Sequence, residues 1–237
     1  MPVVLDLEFR GPTRVRVPLK GPHAAIAERI DAAHHAPVKP FAIAPPRDIG
    51  GGVGLRIGLL RDALAEDLAR SLERDPRLRL GSHWYTYTGL SVTDQDGWPD
   101  LAAVTTESRW SVEFLTPTTF RNRSRTRPWA DPETLARGLA ERWAAVHPAT
   151  GDDLDAQAAR SVWVSDVSGE SLLVPGPNSA VSGFLGRITY VADRADGSAA
   201  LFERLLRFAR YAGVGSFTTF GFGQVRVRTL RSAADRE

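Results

Sequence analysis

The sequence predicts an α+β fold of two tandem ferredoxin-like domains, each with the element order β-α-β-β-α-β. Two observations support this. Segments of alternating or continuous apolar residues, which are typical of strands, alternate in both halves of the chain with segments of helical periodicity. A turn-rich segment at residues 93–100 separates two halves that share one order of elements. The predicted boundaries are residues 1–93 for the first domain, 94–103 for a linker and 104–237 for the second domain.

The elements of the first half follow from apolar spacing and from proline and glycine positions. Strands are predicted at residues 3–9, 41–43, 53–59 and 78–92, with a basic strand or arm at 14–17 and a hairpin connection at 50–54. One helix is predicted from Pro22 to about His34, before a run of prolines. A second follows from leucines at 60, 64, 68 and 72, and it stops before Pro76.

The second half repeats the order. Strands are predicted at residues 104–115, 161–164, 181–191 and 224–228, with turns at 168–170 and 175–177. Asp131 followed by Pro132 predicts the start of a helix that ends at Pro148. A last helix, with Leu201, Leu205 and Phe208 facing the core, runs into a glycine-rich segment.

Composition excludes some classes of protein and leaves others open. The chain has 237 residues and a net charge of +2. Because it has no cysteine, disulfides and thiolate metal sites are excluded. Lys20 and Lys39 are the only lysines. Acidic residues are absent from residues 9–27, 114–130 and 204–234, which indicates a basic surface stripe balanced by acidic faces elsewhere. The absence of a signal pattern or a long apolar run predicts a cytoplasmic protein without a membrane segment.

The segment at residues 211–223 is the most informative of the chain. Gly213, Gly215, Gly221 and Gly223 bracket three phenylalanines and three hydroxyl side chains, between a helix and a strand. We call residues 213–223 the glycine loop. Glycine allows backbone amides to approach a ligand closely, and such amides beside arginine favour phosphate binding. The alternative is that the glycines only cap a helix and relieve crowding at a strand.

Three familiar phosphate-binding loops do not fit. A dinucleotide fingerprint needs a strand before its glycines and a helix after them, and the order here is reversed. A P-loop needs Gly-Lys-Ser/Thr, which the chain lacks, and no lysine strand or His-Arg-Asp loop accompanies the segment as in kinases.

The glycine loop instead resembles that of the CRISPR-associated RNA-processing endoribonucleases, within the superfamily of repeat-associated RNA-binding proteins. The resemblance lies in Gly-Val-Gly at 213–215 and Thr-Phe-Gly-Phe-Gly at 219–223. Three weaker matches keep the family order: Gly-Phe-Leu-Gly-Arg at 183–187, Lys-Pro-Phe at 39–41 after two histidines, and residues 114–120. The family has two tandem ferredoxin-like domains, which agrees with the periodicity.

The resemblance places a catalytic histidine at His34, with His35 as the alternate, and a phosphate-stabilising cation at Lys39. Taken alone, the two histidines are better explained as last-turn residues of a helix, and the resemblance reverses that preference. Imidazole can take and give a proton near neutral pH, so a histidine and a cation can support attack by an RNA 2′-hydroxyl without a metal. The products would be a 2′,3′-cyclic phosphate and a 5′-hydroxyl. The first helix lacks the tyrosine that completes the site in some relatives.

The arginines at 121, 123, 125 and 127 alternate with polar residues, so an extended segment would point them to one side, toward a phosphate backbone or into solvent. His83 adjoins Trp84, Tyr85 and Tyr87 on a strand, where these rings either stack on a base or form core. The predicted RNA-binding residues are Arg121, Arg123, Arg125, Arg127, Arg187, Arg210, Gly213, Gly215, Ser216, Thr218, Thr219, Gly221 and Gly223.

The resemblance, together with these residues, therefore predicts a metal-independent endoribonuclease that cleaves CRISPR precursor RNA within repeats, with no cofactor. The expected partner is CRISPR repeat RNA, with other subunits of a CRISPR effector complex as further candidates. Monomer and homodimer both stay open. The alternative function is a subunit that binds CRISPR RNA without cutting it.

Overall fold

The computed structural model has two antiparallel sheets, each with helices packed on one face. It describes residues 1–13, 17, 19–30, 38–103, 107–122, 125–147, 156–193 and 197–230. The predictions for His34, His35 and Arg123, and most of the predicted arm at 14–17, lie outside the described residues.

The first domain contains strands β1 (Val3–Arg10), β2 (Phe41–Ile43), β3 (Arg47–Asp48), β4 (Gly52–Leu59), β5 (Arg77–Leu80) and β6 (His83–Gln95), with helices α1 (Lys20–Arg29) and α2 (Asp62–Arg74). The strand order is β2-β4-β1-β6-β5, with β3 also paired to β4. Strands β2-β4-β1-β6 give the ferredoxin-like order, and β5 extends the sheet at one edge. Alternate residues of β1 and the leucines of α2 form one core.

The second domain follows a short helix α3 (Trp98–Ala102). It contains β7 (Arg109–Thr118), a small hairpin of β8 (Phe120–Asn122) and β9 (Arg125–Arg127), α4 (Pro132–Val146), β10 (Val162–Pro175), β11 (Ala180–Ala192), α5 (Ser198–Ala212) and β12 (Val225–Thr229). Two 3₁₀ helices lie at Ala156–Ser161 and Thr218–Phe220. The order of the main sheet, β10-β11-β7-β12, is again ferredoxin-like. The predicted fold class of tandem ferredoxin-like domains is therefore confirmed.

The helix starts and stops have local causes. The Asp131 carboxylate accepts a hydrogen bond from the Thr134 amide at 2.9 Å, which caps α4 as its Asp-Pro start predicts. Helix α5 ends at Gly213, whose φ of 65° is readily adopted only by glycine. No helix in the described part of the chain is both long and apolar enough to span a membrane.

Two predicted elements were wrong. Residues 78–92 are not one strand, because Gly81, with a φ of 64°, turns the chain between β5 and β6. Residues 168–170 do not form a turn, because they lie inside β10, where Gly169 pairs with Gly186 of β11. A Cβ at Gly169 would lie 2.8 Å from the Gly186 Cα, so this glycine allows two strands to approach closely.

The segment between the sheets is more ordered than the predicted linker. Strand β6 continues to Gln95, and Trp98 of α3 packs edge-on against Trp143 at 5.1 Å between ring centroids. The Trp98 ring also contacts His147 and Phe208. Helix α3 is thus part of the second domain's packing.

The domains contact each other directly through the end of α5. A Cβ on Gly58 of β4 would overlap the Tyr211 carbonyl oxygen, so the glycine allows α5 to lie against the first sheet. The Tyr211 hydroxyl donates to Asp94 at 3.2 Å, and burial raises the pKa of Tyr211 well above its usual value. Val4 and Leu60 of the first domain lie within the second domain's core, so the interface is continuous with that core.

Candidate nucleic-acid interface

The glycine loop is held in shape by its own backbone and by the chain after β7. The Val214 amide donates to the Gly223 carbonyl at 2.8 Å, and the Gly223 amide donates to Pro117 at 3.2 Å. The Ser216 amide donates to Thr119 at 2.7 Å. All four glycines have φ between 65° and 91°, and Phe217 adopts a φ of 63°, which is uncommon for a side chain of that size.

The glycines shape this loop by permitting close packing. Gly213, Gly221 and Gly223 are buried, and a Cβ on Gly223 would overlap the Val214 carbonyl oxygen. A Cβ on Gly215 would likewise overlap the Thr119 carbonyl oxygen. The RNA contact by these glycines stays a prediction. Their visible role is to let the loop backbone pack closely against neighbouring carbonyl groups.

The loop tip presents polar atoms and an aromatic ring. Ser216 and Phe217 are half-buried, whereas Thr218 and Thr219 are buried. Within the described part of the chain, the amides of Phe217, Thr218 and Thr219 make no backbone hydrogen bond. The Arg121 guanidinium lies over the Phe217 ring at 5.5 Å, so the β8-β9 hairpin brings a cation beside these donors.

Arg142 of α4 supports the loop from below. Its guanidinium donates to the Ala212 carbonyl at the end of α5 and to the Gly215 carbonyl at 2.9 Å. Burial lowers the pKa of Arg142 to about 10, so the side chain stays charged at neutral pH. A cation at the carboxyl end of a helix is also favoured by the helix dipole.

These elements enclose a cleft of about 520 Å³ between the two domains, here called the glycine-loop cleft. The cleft contains Lys39 from the first domain together with Arg121 and the loop tip from the second. Its lining residues are Val38, Lys39, Phe120, Arg121, Thr134, Arg137, Gly138, Glu141, Arg142 and residues 215–220. Among these, Glu141 is the sole carboxylate, so the lining is strongly basic.

The cleft gathers part of the predicted set. Lys39, Arg121, Gly215, Ser216, Thr218 and Thr219 line it. Arg127 instead binds Thr134 at 2.7 Å and Asp131 at 3.3 Å, where it stabilises the start of α4. Arg125 is exposed on β9, and Arg187 lies on β11, bordering a separate depression with Glu113.

Arg210 lies on the other side of the domain contact. It forms ion pairs with Asp94, at 3.3 Å, and with Asp96. It lines a second interdomain cavity of about 630 Å³, here called the opposite groove, which also contains Arg56, Arg207 and Arg226. Its RNA contact stays a prediction, and its visible partners are the carboxylates of Asp94 and Asp96.

Sequence reasoning missed several residues of the cleft. Arg137, Gly138 and Arg142 lie on α4, whose pattern indicates only an amphipathic helix. His23 of α1 stacks on Phe220 of the loop, with 4.1 Å between ring centroids. No local signal identifies Arg142 or His23, because each contacts a partner distant in sequence.

Metal-ligating side chains do not cluster in the described residues: no group of three or more histidine, aspartate and glutamate side chains could hold a metal ion there.

Comparisons with known proteins agree with this architecture. A family model described as CRISPR-associated endoribonuclease Cas6 matches residues 112–225. Two curated relatives from strains of Mycobacterium tuberculosis, both described as CRISPR-associated endoribonuclease Cas6, are 26% identical over 246 residues, covering 96% of this chain and 78% of each relative.

Solved structures share the fold along nearly the whole chain. A product complex of Cas6 (TTHB231), a protein of Thermus thermophilus, superposes with a TM-score of 0.84 at 24% identity, covering 96% of this chain and 100% of that one. A product complex of Cas6 (TTHA0078) gives a TM-score of 0.80 at 23% identity, covering 97% and 100%.

The fold and the cleft define a two-domain ferredoxin-like protein whose C-terminal glycine loop faces its N-terminal domain. The family model and the curated relatives show that this chain is similar to the CRISPR-associated endoribonucleases of the Cas6 family. The resemblance found in the glycine loop is thereby confirmed.

Proposed function

We propose that this protein is an endoribonuclease that processes CRISPR precursor RNA by cutting within the repeats. The observation that carries the proposal is the meeting of Lys39 with Arg121 and the glycine-loop tip in one basic cleft. The match to the Cas6 family model and the curated relatives' description as endoribonucleases support the activity. The similar solved structures include product complexes and a substrate mimic complex of Cas6 proteins.

The cleft has the groups that bind and polarise a phosphodiester. Arg121 and Lys39 supply positive charge, and Ser216 and the tip amides supply hydrogen-bond donors. Such donors stabilise the charge that develops on phosphate oxygens in the transition state. Arg142 contributes indirectly, because it fixes the position of Gly215 and hence of the tip.

The acid and base are assigned to the histidine pair. His35 precedes Lys39 by four residues, and four residues span at most about 14 Å. We propose that His34, with His35 as the alternate, transfers protons during attack by the 2′-hydroxyl on the adjacent phosphorus. Attack breaks the bond to the 5′-oxygen, which leaves as a hydroxyl, and forms a 2′,3′-cyclic phosphate without a metal ion. One similar structure is of a mutant of Cas6 (TTHA0078) in which histidine is replaced by alanine.

The test is cleavage of the host repeat RNA in excess chelator by the wild type, His34→Ala, His35→Ala and Lys39→Ala. We expect one discrete cut, with a fall of about 10²- to 10⁴-fold in rate for the histidine that acts. A 2′-deoxy nucleotide at the cut should abolish cleavage. His83→Ala is the matched control, since His83 lies on β6 outside the cleft and should leave the rate unchanged.

The contradicting results are equally clear. A requirement for divalent metal, or cleavage that survives the 2′-deoxy substitution, would overturn the mechanism. Tight binding of the repeat without cutting would contradict the proposed activity and favour the alternative function, a subunit that binds CRISPR RNA without cutting it.

A further inference from the structure

Two more cavities adjoin the glycine-loop cleft in turn. Phe220 lines both the cleft and a cavity of about 530 Å³ between the two domains, here called the middle cavity. Lys20 lines both the middle cavity and a third cavity of about 800 Å³ on the first domain. Each shared residue makes two of the cavities neighbours, so the three cavities form a row, here called the track.

The middle cavity of the track is apolar. It is lined by Pro45, Pro117, Pro175 and Pro177, and by the rings of Phe220 and Phe222. Lys20, which is exposed, is the charged residue in this part. Rings and apolar side chains of this kind pack against unpaired bases, whose faces are also apolar.

The third cavity is basic and ends at an exposed tryptophan. It contains Lys20, Arg29, Arg74, Arg77 and Arg79 against only Glu28 and Asp75. Asp75 is already paired with Arg29 at 3.3 Å and with Arg77 at 3.7 Å. The five cations outnumber the two carboxylates by three, so the lining carries a net positive charge.

Trp84 forms the outer end of the track. It is 59% exposed, which is unusual for so large an apolar side chain. The Arg77 guanidinium lies 5.7 Å from its ring centroid, and Arg79 is its cross-strand partner on the edge strand β5. An exposed indole flanked by two exposed guanidiniums can stack on a base while the arginines contact the neighbouring phosphates.

We propose that the track binds single-stranded RNA continuous with the repeat, and that Trp84 stacks on one of its bases. The proposal rests on the proposed function, because the glycine-loop cleft supplies the start of the path. The alternation of basic, apolar and basic-aromatic sections matches the alternating phosphate and base character of an unpaired strand. In a duplex the base faces are stacked on each other, so they cannot pack against the apolar side chains of the middle cavity.

The test compares three RNAs, each with a 2′-deoxy nucleotide that blocks cutting: the bare repeat, and the repeat extended by about ten adenosines at the 5′ or at the 3′ end. Dissociation constants are measured by fluorescence anisotropy at one salt concentration. For the wild type, one of the two extensions should tighten binding by about fivefold to 100-fold, the range expected for stacking one base.

Variants assign the gain to the track. Trp84→Ala should lose most of the gain, and Trp84→Phe should restore part of it. Trp163→Ala is the matched control, since Trp163 is 50% exposed on β10 and lines none of the three cavities. All three variants should bind the bare repeat as the wild type does.

The two proposals can fail separately. If the bare repeat binds but neither extension tightens binding, or if Trp163→Ala removes as much of the gain as Trp84→Ala, the track is overturned and the proposed function stands. If the bare repeat does not bind, both are overturned.

Discussion

The glycine-loop cleft and the opposite groove lie on two sides of one domain contact, and they differ in how their arginines are neutralised. In the opposite groove, Arg56 pairs with Asp6 at 2.9 Å, Arg207 with Glu203 at 3.1 Å and Arg226 with Glu113 at 2.9 Å. Arg210 pairs with Asp94 and Asp96. In the cleft, the Arg121 guanidinium lies over the Phe217 ring and Arg142 donates to the Ala212 and Gly215 carbonyls, and Glu141 is the one carboxylate among the described lining residues.

The comparison teaches that arginine content alone does not identify a surface for RNA. The two cavities are of similar volume and both are rich in arginine. A phosphate entering the opposite groove would have to displace carboxylates, whereas one entering the cleft meets guanidiniums held by a ring or by carbonyls. Pairing with carboxylates therefore makes the opposite groove the less favourable of the two cavities for a polyanion.

The largest expected effect comes from breaking the loop that builds the cleft. Gly223→Ala should lower the free energy of unfolding by at least about 2 kcal/mol and abolish repeat binding, because φ is 68° and the added Cβ would overlap a carbonyl oxygen. Thermal unfolding and anisotropy measure the two effects. Gly138→Ala, on α4 in the same cleft, meets nothing within 4 Å and should stabilise by up to about 1 kcal/mol. Equal damage by both variants would contradict this account.

An intermediate effect comes from removing cations on either side. The double variant Arg121→Ala, Arg137→Ala should weaken repeat binding about tenfold or more and flatten its salt dependence, since each lost phosphate contact reduces the slope by about 0.7 to 0.9. The salt series is measured by anisotropy. Arg226→Ala and Arg210→Ala, on the opposite groove, should leave the slope unchanged. A lower slope for Arg210→Ala would instead make Arg210 an RNA contact, as the sequence predicts.

The smallest effect concerns a carboxylate that neutralises the opposite groove. The hydrogen bond from Arg56 holds the pKa of Asp6 below its usual 3.8. Its stabilising contribution is therefore present above pH 3.8 and is lost as pH falls through the lower folded-state pKa. Asp6→Asn should cost less than about 1 kcal/mol at pH 7, because Arg56 and Arg47 are half exposed. In thermal unfolding the difference from the wild type should narrow below pH 4, and a constant difference down to pH 2 would contradict the assignment.

Local patterns were enough to predict most of the fold. Leucines spaced four apart place α2, Asp131-Pro132 places the start of α4, and alternation places β1. The errors fall where a glycine has a tertiary role. Gly81 turns the chain, although the sequence pattern predicts a continuous strand there. Gly169 allows a neighbouring strand to approach closely, although the sequence pattern predicts a turn.

The candidate site was predictable only where its parts are contiguous in sequence. The glycine loop and Lys39 belong to short recognisable segments. Arg142 contacts Ala212, 70 residues away, and His23 meets Phe220 across the domain contact. Such pairings depend on how two separately folded sheets dock, and no periodicity within either element encodes that.

The close approach at Gly58 has a consequence for exchanging parts among relatives. Strand β4 has no side chain at Gly58, where the end of α5 lies against it, so the surfaces of the two domains are complementary at this point. A chimaera that joins this N-terminal half to the C-terminal half of a relative keeps Gly58 but loses the Tyr211 backbone that packs against it. Functional hybrids should therefore need residue 58 and the end of α5 from the same parent. Among active clones of a library of such hybrids, these two segments should come from one parent more often than chance.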